Sequence, residues 1–193
     1  MLRLEGHYER LFGIKTLKIK KSDSEDNFHY QGVSYYVLLE LLKKLPDAVK
    51  DKNFIDIGSG KGRALFCAEY SGFNHLIGIE LDTELNKIAN ENIKLYSQKR
   101  KESDFKFICE NALTFTIPDN TSVFYFFNPF SAKIMEQVKN RISDYQSHTK
   151  SEIFIVYVNP QFKEVWTEAG YETYHKEGNK RYTEALIFRK KSD

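Results

Sequence analysis

The sequence predicts a doubly wound α/β fold: a mostly parallel seven-stranded sheet that ends in an antiparallel hairpin. Three observations predict it. Short apolar runs alternate with amphipathic helical stretches, the first run ends in a glycine turn, and the last two runs are joined by a link too short for a helix. The 193 residues, 41% hydrophobic and 15% aromatic, suffice for one substantial core and are short for two.

Residues 1–29 are polar and charged, with Lys15, Lys18, Lys20 and Lys21 running into Asp23, Glu25 and Asp26. They are expected to form an extension, solvated or lid-like, ahead of a domain spanning 30–193. From Tyr30 to Leu45, the residues Val33, Tyr36, Val37, Leu39, Leu41 and Leu42 recur at near-helical spacing, and Pro46 stops the helix. Asn53–Ile57 reads as a strand, Gly58-Ser-Gly-Lys-Gly62 as a turn, and Ala64, Leu65, Cys67 and Ala68 as a helix running to Gly72. His75–Glu80 is a second strand, and Leu85, Ile88, Ala89, Asn92, Ile93 and Tyr96 mark an amphipathic helix from Thr83. Strands at Phe105–Cys109, Ser122–Asn128 and Glu152–Val158 follow. Helices are expected at 131–143, between the second and third of these, and at 162–169, after the third. Crossovers of this length imply parallel, right-handed connections. Tyr171–Lys176 and Arg181–Arg189, linked through Glu177-Gly-Asn-Lys180, complete the hairpin.

Composition excludes several classes. The 29 basic residues nearly balance the 27 acidic ones, for a net charge of +2, so no global field selects a nucleic acid or an anionic membrane. Cys67 and Cys109 stand apart, without a Cys/His cluster, so neither a disulfide framework nor a metal site is indicated. No apolar stretch approaches a membrane span and the start lacks a secretory pattern, so a cytoplasmic location is expected.

The glycine turn carries the chemistry. Gly58, Gly60 and Gly62 let the chain turn sharply with no Cβ between backbone and ligand, and the following helix N-terminus offers N–H groups to an anion. Glu80, at the tip of the second strand, is placed to hydrogen-bond ribose hydroxyls. A dinucleotide fingerprint needs its third glycine three residues after the second, where Arg63 stands, and a phosphate loop needs Ser or Thr after its lysine, where Gly62 stands. Lys61 and Arg63 are therefore read as loop-surface or carboxylate-steering residues.

Phe54-Ile-Asp-Ile-Gly-Ser-Gly-Lys-Gly62, Glu80 and Asn128-Pro-Phe130, with the reversed final hairpin, resemble the class I, Rossmann-like S-adenosylmethionine-dependent methyltransferase family over roughly residues 30–189. The resemblance implies S-adenosylmethionine as cofactor. It implies cofactor binding by Asp56, Gly58, Ser59, Gly60, Gly62, Glu80 and Leu81, with Asp56 at the ligand's amino group or ordering the loop. Asn111 and Ala112 align with the adenine contact, where the family's usual acid is replaced by Asn111 and preceded by Glu110. Tyr30 and Gln31 fall where relatives fold a lid, and His29 beside them is a candidate base. Asn128, Pro129 and Phe130 fall where amino-methylating relatives orient the acceptor, though those carry a second proline; a structural turn is the competing reading. Tyr157 and Asn159-Pro160 are further candidates for the acceptor pocket.

Methyl transfer from a sulfonium needs positioning more than a strong base, so the lack of an acid–base constellation does not count against an enzyme. The acceptor is not legible. Nitrogen on a protein or small molecule is favoured over nucleic acid, because Lys99-Arg-Lys101 suits a solvated helix end. The alternatives are a cofactor-binding module without catalysis and an NAD(P)-dependent oxidoreductase.

Overall fold

The structure, a computed structural model, describes residues 2–17, 32–179 and 182–191. The strands are β1 (Asn53–Ile57), β2 (His75–Glu80), β3 (Asp104–Cys109), β4 (Thr121–Phe127), β5 (Ile153–Val158), β6 (Glu172–Asn179) and β7 (Tyr182–Lys190). The helices are α1 (Leu2–Phe12), α2 (Tyr35–Leu42), α3 (Arg63–Tyr70), α4 (Thr83–Leu95), α5 (Ala132–Thr149) and α6 (Glu164–Glu168). One sheet holds all seven strands in the order β3-β2-β1-β4-β5-β7-β6. The first five pair in parallel, and β7 lies antiparallel between β5 and β6. The chain starts at the middle of the sheet and reverses its direction of winding between β1 and β4, which opens a crevice at the carboxyl ends of those strands.

Strand alternation builds two cores. Phe54, Leu76, Val123, Tyr125, Phe154 and Val156 face α1, α2 and α3. Ile55, Ile57, Ile77, Phe124, Phe126 and Ile155 face Met135, Val138 and Ile142 of α5 and Trp166 of α6. With both faces covered, the central strands read as near-continuous apolar runs. Asp56 is the exception in β1: a buried acid in register with Gly78 and Tyr125.

The N-terminal segment departs from the sequence expectation. Residues 2–12, predicted as part of a solvated or lid-like lead-in, form α1, and Phe12 and Ile14 are buried with the first core. Its acids are consumed internally rather than solvated, as the site shows below. The described part of the next helix begins at Tyr35, after an extended Ser34. Its buried face uses Tyr35, Leu38, Leu39, Leu41 and Leu42, whereas Tyr36 is 55% exposed. Helix α5 outruns its predicted end at Ser143 by six residues. Those last turns are polar, so periodicity fades there, but Tyr145 exchanges hydrogen bonds with the backbone of Thr121, and Gln146 donates to the carbonyl of Lys190. The final strands run closer together than the predicted link allows, so that Glu177 to Asn179 belong to β6.

Among the described residues no helix is long and apolar enough to cross a membrane.

One buried acid organises the edge of the first core. The Glu69 carboxylate accepts from Tyr96 OH at 2.9 Å, Ser103 Oγ at 2.7 Å and the Arg100 backbone N–H at 2.5 Å, tying the 96–104 connection to α3. Glu69→Ala strands those donors and should cost about 2–4 kcal/mol in urea unfolding. A loss under about 0.5 kcal/mol, the range of ordinary surface substitutions, would show that the connection holds without it.

Candidate active site

A cleft of about 620 Å³ opens at the carboxyl ends of β1, β2, β3, β4 and β5, a volume within the range of small-molecule sites. Most of the sequence-predicted residues meet in it: Asp56, Gly58, Ser59, Gly60, Glu80, Leu81, Asn111, Ala112, Asn128, Pro129, Phe130 and Asn159. Gly62 does not line it. Its φ is +85°, and a Cβ there would lie 2.3 Å from Phe107 Cζ, so this glycine serves loop packing at the start of α3. Tyr30, Gln31 and His29 lie outside the described residues. Tyr157 is fully buried; it does not line the cleft but its hydroxyl donates to Asn128 Oδ1 at 3.3 Å.

The glycine turn and the Asn-Pro corner are in contact. Gly58 has φ +83°, and a Cβ on it would meet Pro129 Cβ at 2.6 Å. A side chain at 58 would therefore push the two walls of the cleft apart as well as strain the turn. Asn128 and Asn159 end the adjacent strands β4 and β5, one step beyond the paired Phe127 and Val158, and both have positive φ (44° and 52°). Each precedes a proline, which restricts its backbone further. Asparagine tolerates the left-handed region better than other side-chain-bearing residues, so both carboxamides are held at the mouth by backbone geometry.

Two carboxyl groups dominate the electrostatics. Glu80 Oε2 accepts the Gly60 N–H at 2.7 Å and Oε1 accepts the Asp82 N–H at 2.9 Å. Burial raises its pKa, and those amides partly offset the rise. Asp82 is committed elsewhere, capping α4 through the N–H groups of Glu84 and Leu85. Asp56 is 3% exposed, and no hydrogen bond reaches its carboxylate among the described residues. Burial first, and the Glu80 charge second, push its pKa well above the ordinary 3.8. Ser59 Oγ is also buried and unpartnered. A buried acid that accepts no hydrogen bond among the described residues and a buried hydroxyl, beside a glycine cradle, fit a ligand that brings its own donors and positive charge.

At the far end Ala112 forms the floor below Glu110 and Asn111. The Asn111 Oδ1 accepts the Leu113 N–H at 2.9 Å and so caps its own turn, whereas the Glu110 carboxylate accepts, among the described residues, one long bond from Thr114 Oγ1 at 3.4 Å. Leu81 is 55% exposed beside them. No group of three or more His, Cys, Asp or Glu suited to a metal occurs among the described residues.

Sequence reasoning missed Arg63 and Lys61, which are buried at 4% and 5% exposure instead of lying on the loop surface. Arg63 lines the cleft with Gly32 and Val33. No local signal marks either residue; the partners of Arg63, Glu5 and Glu9, lie far away in the chain.

Because ionised Asp56 is penalised in the fold and not in the unfolded chain, ligand-free stability is full below pH 3.8 and declines as pH rises from there through the raised folded value. Asp56→Asn should therefore raise the ligand-free Tm at pH 8, by roughly 2–4 °C for each kcal/mol relieved, with the gain fading toward pH 3.8. A Tm at pH 8 unchanged or lowered would contradict an unpartnered charge at this position.

Comparison with known proteins gives a family and a fold. The family model described as histone methylation protein DOT1 matches residues 8–159. No curated protein matches the chain. A Pyrococcus horikoshii protein provisionally assigned as an RNA methyltransferase superposes with a TM-score of 0.61 at 19% identity, covering 98% of each chain. The ribosomal protein L11 methylase of Lactobacillus delbrueckii subsp. bulgaricus gives 0.59 at 15% identity, over 84% of this chain and 81% of that one. Magnesium protoporphyrin IX methyltransferase of Synechocystis PCC 6803, solved with S-adenosylmethionine bound, gives 0.57 at 10% identity, over 80% and 76%. At these identities the likeness is one of fold, and the family assignment rests on the sequence model. That match covers well over half of the 193 residues, so the chain belongs to the histone methylation protein DOT1 family and is an S-adenosylmethionine-dependent methyltransferase on the class I fold.

Proposed function

We propose that this enzyme methylates a nitrogen atom on a protein or small molecule, with the acceptor held at the Asn128-Pro129-Phe130 corner. The observation that carries the reading is the meeting of that corner with the glycine turn at Pro129 and Gly58, which sets a polar acceptor mouth directly beside the cofactor cradle. When bound, S-adenosylmethionine supplies an electrophilic methyl group on a sulfonium sulfur. The chain's own residues then bind, orient and exclude water.

Glu80 takes the ribose hydroxyls on the remaining lone pairs of its carboxylate, and the first N–H groups of α3, just past the glycine turn, take the anionic end. Asp56 and Ser59 supply the partners for the ligand's amino group, which relieves the buried acid by ionising it against a cation. Glu110 accepts from the adenine amino group, because its carboxylate is less committed than the Asn111 amide, and Leu81 covers the adenine edge. At the mouth, Asn128 accepts from the acceptor's N–H groups, so that its lone pair faces the methyl group, and Phe130 walls off water. Tyr157 fixes the Asn128 amide from behind. Protein acceptors come first among the candidates because the family's description is histone methylation and one fold relative acts on a ribosomal protein.

The test is to incubate the enzyme with methyl-labelled S-adenosylmethionine and a cell extract, then divide the product between protease and ribonuclease treatments. Label should survive ribonuclease and be recovered after hydrolysis on nitrogen of an amino acid or small molecule. Asn128→Ala should lower turnover roughly a hundredfold while cofactor affinity stays unchanged. Label released by ribonuclease, or found on carbon or oxygen, would overturn the nitrogen reading.

A further inference from the structure

We propose that Arg63 is a positioning residue of the methyl-transfer site: a buried strap by which α1 and the 32–34 segment are fixed as one wall of the cofactor cleft. The proposal rests on the cleft being the cofactor site. Arg63 is the first residue of α3, directly after the glycine turn, and its guanidinium is nearly saturated by N-terminal partners. Nη1 donates to Glu5 Oε2 at 2.9 Å and to the Val33 carbonyl at 2.5 Å, Nε donates to Thr16 Oγ1 at 2.8 Å, and Nη2 stands 3.9 Å from Glu9 Oε1. The same guanidinium lies 4.3 Å over the Tyr35 ring.

Its partners are locked in turn. Glu5 Oε1 accepts from Ser34 Oγ and from the Tyr35 N–H, at 3.0 and 3.2 Å. Glu9 Oε1 accepts from the N–H and hydroxyl of Thr16, both at 2.5 Å. The segment before Val33 passes so close that a Cβ on Gly32 would lie 2.5 Å from Arg63 Cζ. A second tie runs to the same turn from Asn92 of α4. Its Oδ1 accepts the Lys15 N–H at 3.0 Å, and its Nδ2 donates to the Lys61 carbonyl at 3.1 Å. The glycine turn and the start of α3 are thus held to the N-terminal segment at two points, residues 61 and 63.

Stability alone is a poor reason for this arrangement. A buried ion pair is expensive to desolvate, and a well-packed apolar pair serves the fold as well or better. What an apolar pair cannot do is fix direction: the planar fork of one arginine sets the turn, the 32–34 wall and α1 in a single geometry. Arg63, Gly32 and Val33 all line the cleft, so that geometry is read directly by whatever binds there.

The test uses the full chain with Glu5→Gln, Arg63→Lys and, as a control, Glu69→Gln at an equally buried hub away from the cleft. S-adenosylhomocysteine is titrated by calorimetry below the onset of unfolding of each variant, and hydrogen exchange is followed in the ligand-free proteins. Glu5→Gln and Arg63→Lys should weaken binding about tenfold, the scale of one lost charge-assisted bond, and speed exchange at residues 58–62 and 32–34. Glu69→Gln should lower Tm and leave the dissociation constant alone. Should the two strap variants lose stability yet bind at the wild-type dissociation constant, Arg63 is structural only and the proposal fails. If Arg63→Lys does not fold, Glu5→Gln decides the matter alone. If wild-type protein does not bind the ligand, the cofactor reading fails instead, and unchanged exchange at 58–62 in Glu5→Gln would still overturn the strap.

Discussion

A carboxyl group buried beside a like charge is costly, and Asp56 imposes that cost at the centre of the sheet. Reversal of winding between β1 and β4 places it at the base of the crevice, and Glu80 arrives beside it from the neighbouring strand. Like charge and low polarity together make the ligand-free site a poor home for anions. The glycine turn, in which Gly58 and Gly60 adopt positive φ, spends the N–H groups of residues 58, 59, 60 and 62 on Ile79, Glu80 and Ser59, so the donors on the opposite side are the first N–H groups of α3. The result is a cleft that presents acceptors at one place and donors at another, suited to a ligand carrying both an amino and a carboxyl end.

Most of this was legible because it depends on local patterns. The alternation of apolar runs with 3.6-period stretches located β1, β2 and the start of α4 to within a residue, and the short final link located the antiparallel pair. The acid at the end of β2 and the Asn-Pro corner could be placed in the cleft, since strand ends at a switch point converge whatever the intervening sequence. What was not legible depends on partners distant in the chain. Glu5 and Glu9 look solvated until Arg63 is seen 58 and 54 residues away, and nothing local distinguishes an acid awaiting a buried guanidinium from one in water. Asn92 reads only as one member of the series that marks α4, yet it is a buried tie to Lys15 and Lys61. In the sequence Gly62 reads as a ligand-facing glycine, and only the position of Phe107 reveals a packing role.

The N-terminal helix changes how the enzyme's parts relate. In the described residues α1 shares the first core with α2 and α3 through Phe12, and its acids end at the first residue of α3. The glycine turn is therefore set by helix dipole and glycine geometry on one side and by a charged cluster on the other. The proposed acceptor corner lies across the cleft, where Tyr157 of β5 donates to Asn128. Changes at one wall can thus alter cofactor affinity, and changes at the other turnover, because Gly58 and Pro129 are the contact between them.

A crystal structure of the chain with S-adenosylhomocysteine tests the central claim most directly. The account predicts ribose hydroxyls on Glu80, the amino group within hydrogen-bond distance of Asp56 or Ser59, and the homocysteine sulfur facing Asn128. A nucleoside seated away from Glu80, or an Asp56 carboxylate left without a ligand contact, would contradict it.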